Sequence, residues 1–266
     1  MLAAAVQRLA PSLPVFPAGH VWLAGAGPGD TRHLTLEVLG ALAQADAVVY
    51  DALVDPAVLR AAPQAATHYV GKRAGEPSTP QADINALIVR LARGGARVLR
   101  LKGGDPNVFG RGGEEAQALA GAGIPFRFLP GLTAAFAALA TTGIPATLRG
   151  TSKAITLATG HGAGDGDDEL DWARLAATGQ PIVVYMGLAR LAAITAALIA
   201  GGRAPQTPVA LIQSATLPGE KVLITDLAGA AEAAAAARLR TPALVVVGDI
   251  VRVRGAWQAR LSAVQP

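Results

Sequence analysis

Short apolar runs alternate with longer amphipathic ones along most of the chain. Residues 21–24 form a brief apolar run that ends in the glycine-rich GAGPGD. Residues 34–45 then carry apolar side chains at helical spacing, and 47–50 read as a strand ending at Asp51. A further strand over 67–70 is stopped by Gly71. Thr79 and Pro80 predict a helix start, a capping hydroxyl followed by proline at the first helical position. Ile84, Leu87, Ile88 and Leu91 follow at helical spacing until Gly94 and Gly95. Residues 97–101 read as a strand that feeds KGGDPNVFGRGGEE. This alternation predicts a largely parallel sheet with helical cover.

A second set starts after Arg149. It comprises a strand over 154–159, the polar loop GHGAGDGDDE, a helix near Trp172, a strand over 182–186 and a helix over 188–200. Strands over 208–213 and 221–225 flank a turn near 217–219, and an Ala-rich helix and a strand over 243–248 close the set. The pattern predicts two α/β domains, 20–147 and 148–266, preceded by a flexible, Pro-punctuated extension over 1–19.

Composition narrows the chemistry. The 266 residues are 52% hydrophobic and 16% charged, enough apolar material for packed cores and the opposite of a disordered chain. The absence of Cys excludes disulfides, thiolate metal sites and cysteine nucleophiles. The four His show no metal-ligand spacing, so no metal is assigned. No run approaches the roughly 20 apolar residues of a membrane span, and residues 1–19 lack the basic start of a secretory signal. The expectation is a cytoplasmic protein. The net charge is +4 and the pI about 9.8, with 19 Arg against 4 Lys. That imbalance reflects either coding bias or a site that grips carboxylates or phosphates with forked guanidinium groups. Aromatics are only 4%, which argues against a nucleic-acid-binding reading of the basic pI.

Three stretches carry candidate chemistry. In VWLAGAGPGD, Gly25, Gly27 and Gly29 follow a strand and let a ligand approach the backbone, or simply form a turn. Asp30 stands where a dinucleotide fingerprint needs its third Gly. In KGGDPNVFGRGGEE, five Gly in fourteen residues exceed what a plain connection needs. Asp105 there either accepts from a ligand or caps the next turn; Arg111 either reaches a ligand or is solvated. In LPGLTAAFAALATTGIPATLRGTS, Thr133 and Ala134 open a helix whose first N–H groups are free to meet a ligand. Arg149 lies near the join of the two domains, and His161 follows a strand.

GAGPGD, VVYDALV, VGKRAG, LKGGDPNVFGRGGEE, PGLTAA, YMG and TPALVVVG occur in this order across residues 21–254. Together they closely resemble the tetrapyrrole methylases, and within them the uroporphyrinogen-III C-methyltransferases that make precorrin-2. The dehydrogenase and ferrochelatase module of fused sirohaem synthases is not seen here, which suggests the stand-alone methylase. The resemblance implies two α/β domains of the class III methyltransferase type with a cleft between them, a homodimer, and S-adenosyl-L-methionine as methyl donor. It implies cofactor contacts from Pro28, Gly103, Gly104, Asp105, Val108, Thr133, Ala134, Met186, Ala215 and Ala243. Asp51 and Lys72 match positions taken as proton acceptor and donor. Arg111, Glu114, Arg149, His161 and Met186 match the tetrapyrrole-binding side, with Arg111 and Glu114 also candidates for catalysis. Ala215 stands where relatives often carry Gly, and Asn107 where they usually carry an aromatic residue. The implied reaction is methylation of uroporphyrinogen III at C-2 and C-7, feeding sirohaem, cobalamin or haem d1 synthesis. The nearest alternative is methylation of a later precorrin or cobalt-precorrin. No metal, nucleic acid or membrane partner is expected.

Overall fold

The computed structural model describes residues 2–71, 79–161 and 170–257. The chain divides into two compact units, Met1–Ala134 and Ala135–Pro266. The sequence pattern places this division later, between 147 and 148.

The first unit is built on five parallel strands: β1 Val21–Gly25, β2 Ala47–Tyr50, β3 Ala66–Tyr69, β4 Val98–Lys102 and β5 Phe126–Leu129, in the order β3-β2-β4-β1-β5. Helix α1 (Leu2–Leu9) precedes them; α2 (Leu36–Leu42), α3 (Gln81–Arg93) and α4 (Gly112–Gly121) connect them. Both faces of the sheet are covered, so β1 and β4 are buried along their whole length. Trp22, Ala24, Leu99 and Leu101 meet the α2 side, and Val21, Leu23 and Val98 meet α3 and α4. Helix α3 begins one residue later than its pattern suggests. Pro80 occupies the N-cap with extended ψ, and no side chain caps the helix, so Thr79 does not play that part.

The extension over 1–19 is more ordered than its composition suggests. Phe16 is fully buried and stacks on Trp22 with ring centroids 4.0 Å apart. The Gln44 side chain accepts from Phe16 N (2.9 Å) and donates to Pro14 O (3.2 Å), while Arg97 Nε donates to Phe16 O (2.9 Å). One large aromatic with a slot beside Trp22 therefore ties residues 14–16 to the sheet.

The second unit contains α5 (Ala134–Thr141, from its second residue), β6 (Thr156–Thr159), α6 (Trp172–Ala177), β7 (Ile182–Tyr185), α7 (Leu191–Ala200), β8 (Pro208–Gln213), β9 (Lys221–Asp226), α8 (Ala230–Ala236), β10 (Ala243–Val247) and α9 (Ile250–Trp257). Its sheet is mixed, in the order β6-β7-β10-β8-β9. Only β6 and β7 are parallel; β10 runs antiparallel to β7 and β8, and β8 and β9 form the hairpin expected near 217–219. Among the described residues, no helix is long and apolar enough to cross a membrane.

Candidate active site

In the parallel sheet the chain leaves β1 toward β2 on one side and leaves the adjacent β4 toward β5 on the other. Where adjacent parallel strands send their connections in opposite directions, the carboxyl ends of those strands are the usual ligand position in such sheets. The two glycine-rich loops of the sequence are the ones that meet there. Gly27 N donates to Gly104 O (3.1 Å) and Gly104 N to Gly27 O (2.6 Å). A Cβ on Gly25 would lie 2.4 Å from Gly104 O and 2.6 Å from Gly131 Cα; one on Gly131 would lie 2.2 Å from Gly104 O. Backbone thus packs on backbone, which no other residue permits at these positions. A Cβ on Gly103 would meet Leu53 Cβ at 2.5 Å, and one on Gly71 would meet Ala52 N at 2.5 Å. The loop after β2, which carries Asp51, is drawn by these glycines against the loops after β3 and β4.

The loop after β4 is a tight knot around buried Pro106. Gly112 N donates to Pro106 O (2.9 Å), and side chains at Gly110 or Gly112 would strike that carbonyl at 2.8 and 2.5 Å. Asp105 holds two neighbours: Oδ1 accepts from Asn107 N (2.8 Å) and Oδ2 from Gly131 N (3.0 Å). The turn-capping role of Asp105 is therefore realised, and each oxygen keeps a lone pair for a further donor. Val108 follows in this turn, half-buried, its N–H on Asp105 O at 3.3 Å. Pro28 is half-buried on the β1 loop. Thr133 is buried and Ala134 half-buried at the start of α5, the Ala134 nitrogen lying 3.7 Å from where a Gly104 Cβ would stand.

Arg111 caps α4 with left-handed backbone (φ 60°) and grips Glu114 two-pronged, Nε–Oε1 2.8 Å and Nη2–Oε2 2.6 Å, both side chains about half exposed. The guanidinium holds the Glu114 carboxyl below the ordinary carboxylate range, and the carboxylate in turn strengthens the Arg111 cation. Lys72 lies outside the described residues.

In the second unit, Met186 follows β7, Ala215 follows β8 and Ala243 opens β10. Because β10 is antiparallel to both neighbours, these three positions share one end of the mixed sheet, and Ser214 N donates to Pro242 O there (2.9 Å). His161 reaches the same end from β6: a Cβ on the preceding Gly160 would lie 2.5 Å from Gly187 Cα, and His161 itself is exposed, its N–H on Thr159 Oγ1 (3.2 Å). Arg149 is exposed in a turn closed between Leu148 and Ser152, on the chain that enters the opposite end of β6. The structure does not group it with Met186, Ala215, Ala243 and His161.

Backbone strain marks the same loops. Six described non-glycine residues have positive φ; Phe109 and Arg111 lie in the loop after β4, Met186 follows β7, and Ser214 and Thr216 flank Ala215. Left-handed backbone at non-glycine residues is costly and gathers where a site demands a particular shape.

The sequence reading missed one cluster. On the α3–α4 side of β4, Arg100 and Lys102 are buried with Glu115, which is fully buried. Glu115 Oε1 accepts from Arg100 Nε (2.9 Å), Lys102 Nζ (3.0 Å) and Gln81 Nε2 (3.2 Å). Burial, and then the Arg100 charge, push the Lys102 ammonium below its ordinary pKa, against the pull of Glu115. The available signal was two cations two residues apart in a central strand, where both faces are covered.

The profile described as Tetrapyrrole (Corrin/Porphyrin) Methylases matches residues 20–231. A uroporphyrinogen-III C-methyltransferase of Sinorhizobium sp is 50% identical over 253 residues, covering 94% of this chain and 90% of that protein. A siroheme synthase of Azotobacter vinelandii is 49% identical over 92% of this chain, which spans 53% of that longer protein. Among solved structures, the uroporphyrin-III C-methyltransferase of Thermus thermophilus complexed with S-adenosyl homocysteine is 39% identical, with a TM-score of 0.76, over 88% of this chain and 99% of that one. Matched over most of its length by sequence and by fold, the chain belongs to the tetrapyrrole methylases.

Proposed function

We propose that the protein transfers methyl groups from S-adenosyl-L-methionine to C-2 and C-7 of uroporphyrinogen III, giving precorrin-2. The loops that pair at Gly27 and Gly104 beyond the carboxyl ends of β1 and β4 support the methyl donor: they pack backbone on backbone, and the Asp105 carboxylate is held beside them. The 50% identity to the Sinorhizobium enzyme, spread over 94% of this chain, supports the acceptor. In this reading the cofactor contacts are those the family resemblance implies: Pro28, Gly103, Gly104, Asp105, Val108, Thr133, Ala134, Met186, Ala215 and Ala243. Arg111, Glu114, Arg149, His161 and Met186 serve the tetrapyrrole.

S-adenosyl-L-methionine supplies an electrophilic methyl on a sulfonium, and the pyrrole carbons are electron-rich. Alignment therefore matters more than a strong base; fixing both partners at attack distance contributes up to about 7–11 kcal/mol. The methylated ring carbon already carries a side chain and has no hydrogen, so the proton that must afterwards leave comes from the ring nitrogen or an adjoining bridge carbon. It goes to Asp51, with Lys72 in the proton-donor position. Glu114 is already engaged by Arg111, which holds its carboxyl below the ordinary carboxylate range. Arg111 stays cationic and clamps a substrate carboxylate.

Incubation with uroporphyrinogen III and methyl-labelled S-adenosyl-L-methionine should place two labelled methyls on each product molecule. No label in that product, with transfer only to an already methylated precorrin, overturns the reading. The proposal includes a cytoplasmic homodimer that takes no nucleic acid. Sedimentation should give twice the 26.8 kDa chain mass, unchanged by added RNA; a monomer, or a shift with RNA, counts against it.

A further inference from the structure

The Arg100 guanidinium is 2% exposed and makes contacts in four directions. Nε donates to Glu115 Oε1 (2.9 Å); Nη1 donates to Leu101 O (3.0 Å) and Val49 O (3.3 Å); Nη2 lies 3.5 Å from Asp51 Oδ2. An arginine engaged only in a structural pair with Glu115 would present two parallel N–H groups to both carboxylate oxygens, the strongest geometry open to it. Here it gives Glu115 a single bond. Glu115 Oε2 is buried with no hydrogen-bond partner, and the second terminal nitrogen turns instead toward Asp51. The unmade bond is costly in a buried site, so the orientation needs a reason beyond holding the sheet together.

Asp51 supplies one. Its Oδ1 accepts from Leu53 N (3.1 Å), its Oδ2 faces Arg100, and 25% of its side chain is exposed. Both oxygens are thereby oriented while their outer lone pairs stay reachable. Arg100 cannot follow a moving carboxylate, because two backbone carbonyls and Glu115 fix it, and Glu115 is itself held by Lys102 and Gln81. Arg100 and Lys102 together carry one positive charge more than Glu115 balances, and Asp51 is the anion set against that excess.

We propose that Arg100, locked by Glu115, is a positioning residue that orients the Asp51 carboxylate for proton removal. The inference rests on the reading of Asp51 as the proton acceptor.

The test is a pair of double-mutant cycles with Asp51→Asn, reading kcat, KM and calorimetric S-adenosyl-L-methionine affinity. Arg100→Lys keeps the buried charge and loses the fork. It should lower kcat roughly 10- to 100-fold, the effect of a small misplacement of a reacting group, with KM and cofactor affinity unchanged. In the Asp51→Asn background the same change should alter kcat by less than about twofold, because residues acting as one unit are not additive. Glu115→Gln keeps an acceptor oxygen for both cations and gives a second cycle that decides the matter if Arg100→Lys does not fold. A full loss in both backgrounds marks a structural role and overturns this inference alone. An Asp51→Asn enzyme with unimpaired kcat removes the proton-acceptor reading, and the inference with it.

Discussion

Glu115→Ala is expected to destabilise the first unit by about 3–5 kcal/mol, the typical cost of removing one partner from a buried ion pair. Domains are stable by only about 5–15 kcal/mol in total, so this single change should consume a large share of the margin. The reason is the arithmetic of the cluster. Arg100 and Lys102 are both nearly inaccessible, and Glu115 Oε1 is the acceptor they share. Without it, two cations face each other in a covered layer. The pH dependence follows from Lys102, whose ammonium is already below its ordinary value of 10.5 through burial and the Arg100 charge. Loss of Glu115 removes a group that favours the charged form and lowers it further. The unfolded chain then binds more protons than the folded one across the interval below 10.5, so stability rises with pH there. The deficit of Glu115→Ala relative to the parent should therefore be greatest near neutrality and shrink as pH climbs toward that value. Urea unfolding over a pH series measures both; a loss under 1 kcal/mol, or a deficit that widens with pH, refutes the account. Replacing Arg100, Lys102 and Glu115 together by apolar residues of similar volume should be far milder for stability, separating the cost of imbalance from any need for charge.

That cluster also shows where the sequence stopped being readable. The alternation of apolar runs located nine of the ten strands among the described residues to within a residue or two, because covered parallel strands such as β1 are continuous apolar segments. β5 escaped: its four residues, Phe-Arg-Phe-Leu, include an exposed Arg127 at a sheet edge. Helix α4 was hidden because it opens on Gly112–Gly113; Gly112 is needed by the close approach to Pro106 and not by any helix preference. Arg100 and Lys102 were unremarkable by composition, since charge along a chain says nothing about burial. For the candidate site, the glycine-rich blocks signalled close backbone approach, and the structure gives the partners. The sequence could not reveal that Arg111 would turn its fork on Glu114, since that depends on a left-handed residue capping a helix.

This pairing makes Arg111→Ala the sharpest test on the substrate side. Turnover should fall roughly 100-fold, as expected when a group that aligns the reacting partners is lost, while calorimetric affinity for S-adenosyl-L-methionine is retained. The backbone argument keeps the comparison clean. Arg111 sits at φ 60°, and alanine, which also has a Cβ, carries a similar conformational cost, so the change reports on the guanidinium and not on the loop. Lost cofactor affinity would instead place Arg111 on the donor side. The exposed Arg111–Glu114 pair adds little stability by itself, as partly solvated ion pairs generally do, so the folded fraction should be unchanged. Its geometry matters more. Glu114 presents to Arg111 the same two-oxygen fork that a propionate or acetate arm of the tetrapyrrole would present, and so occupies the clamp in advance. Glu114→Gln should release the guanidinium and lower KM for uroporphyrinogen III. A raised KM would show that the carboxylate orients the arginine for its substrate.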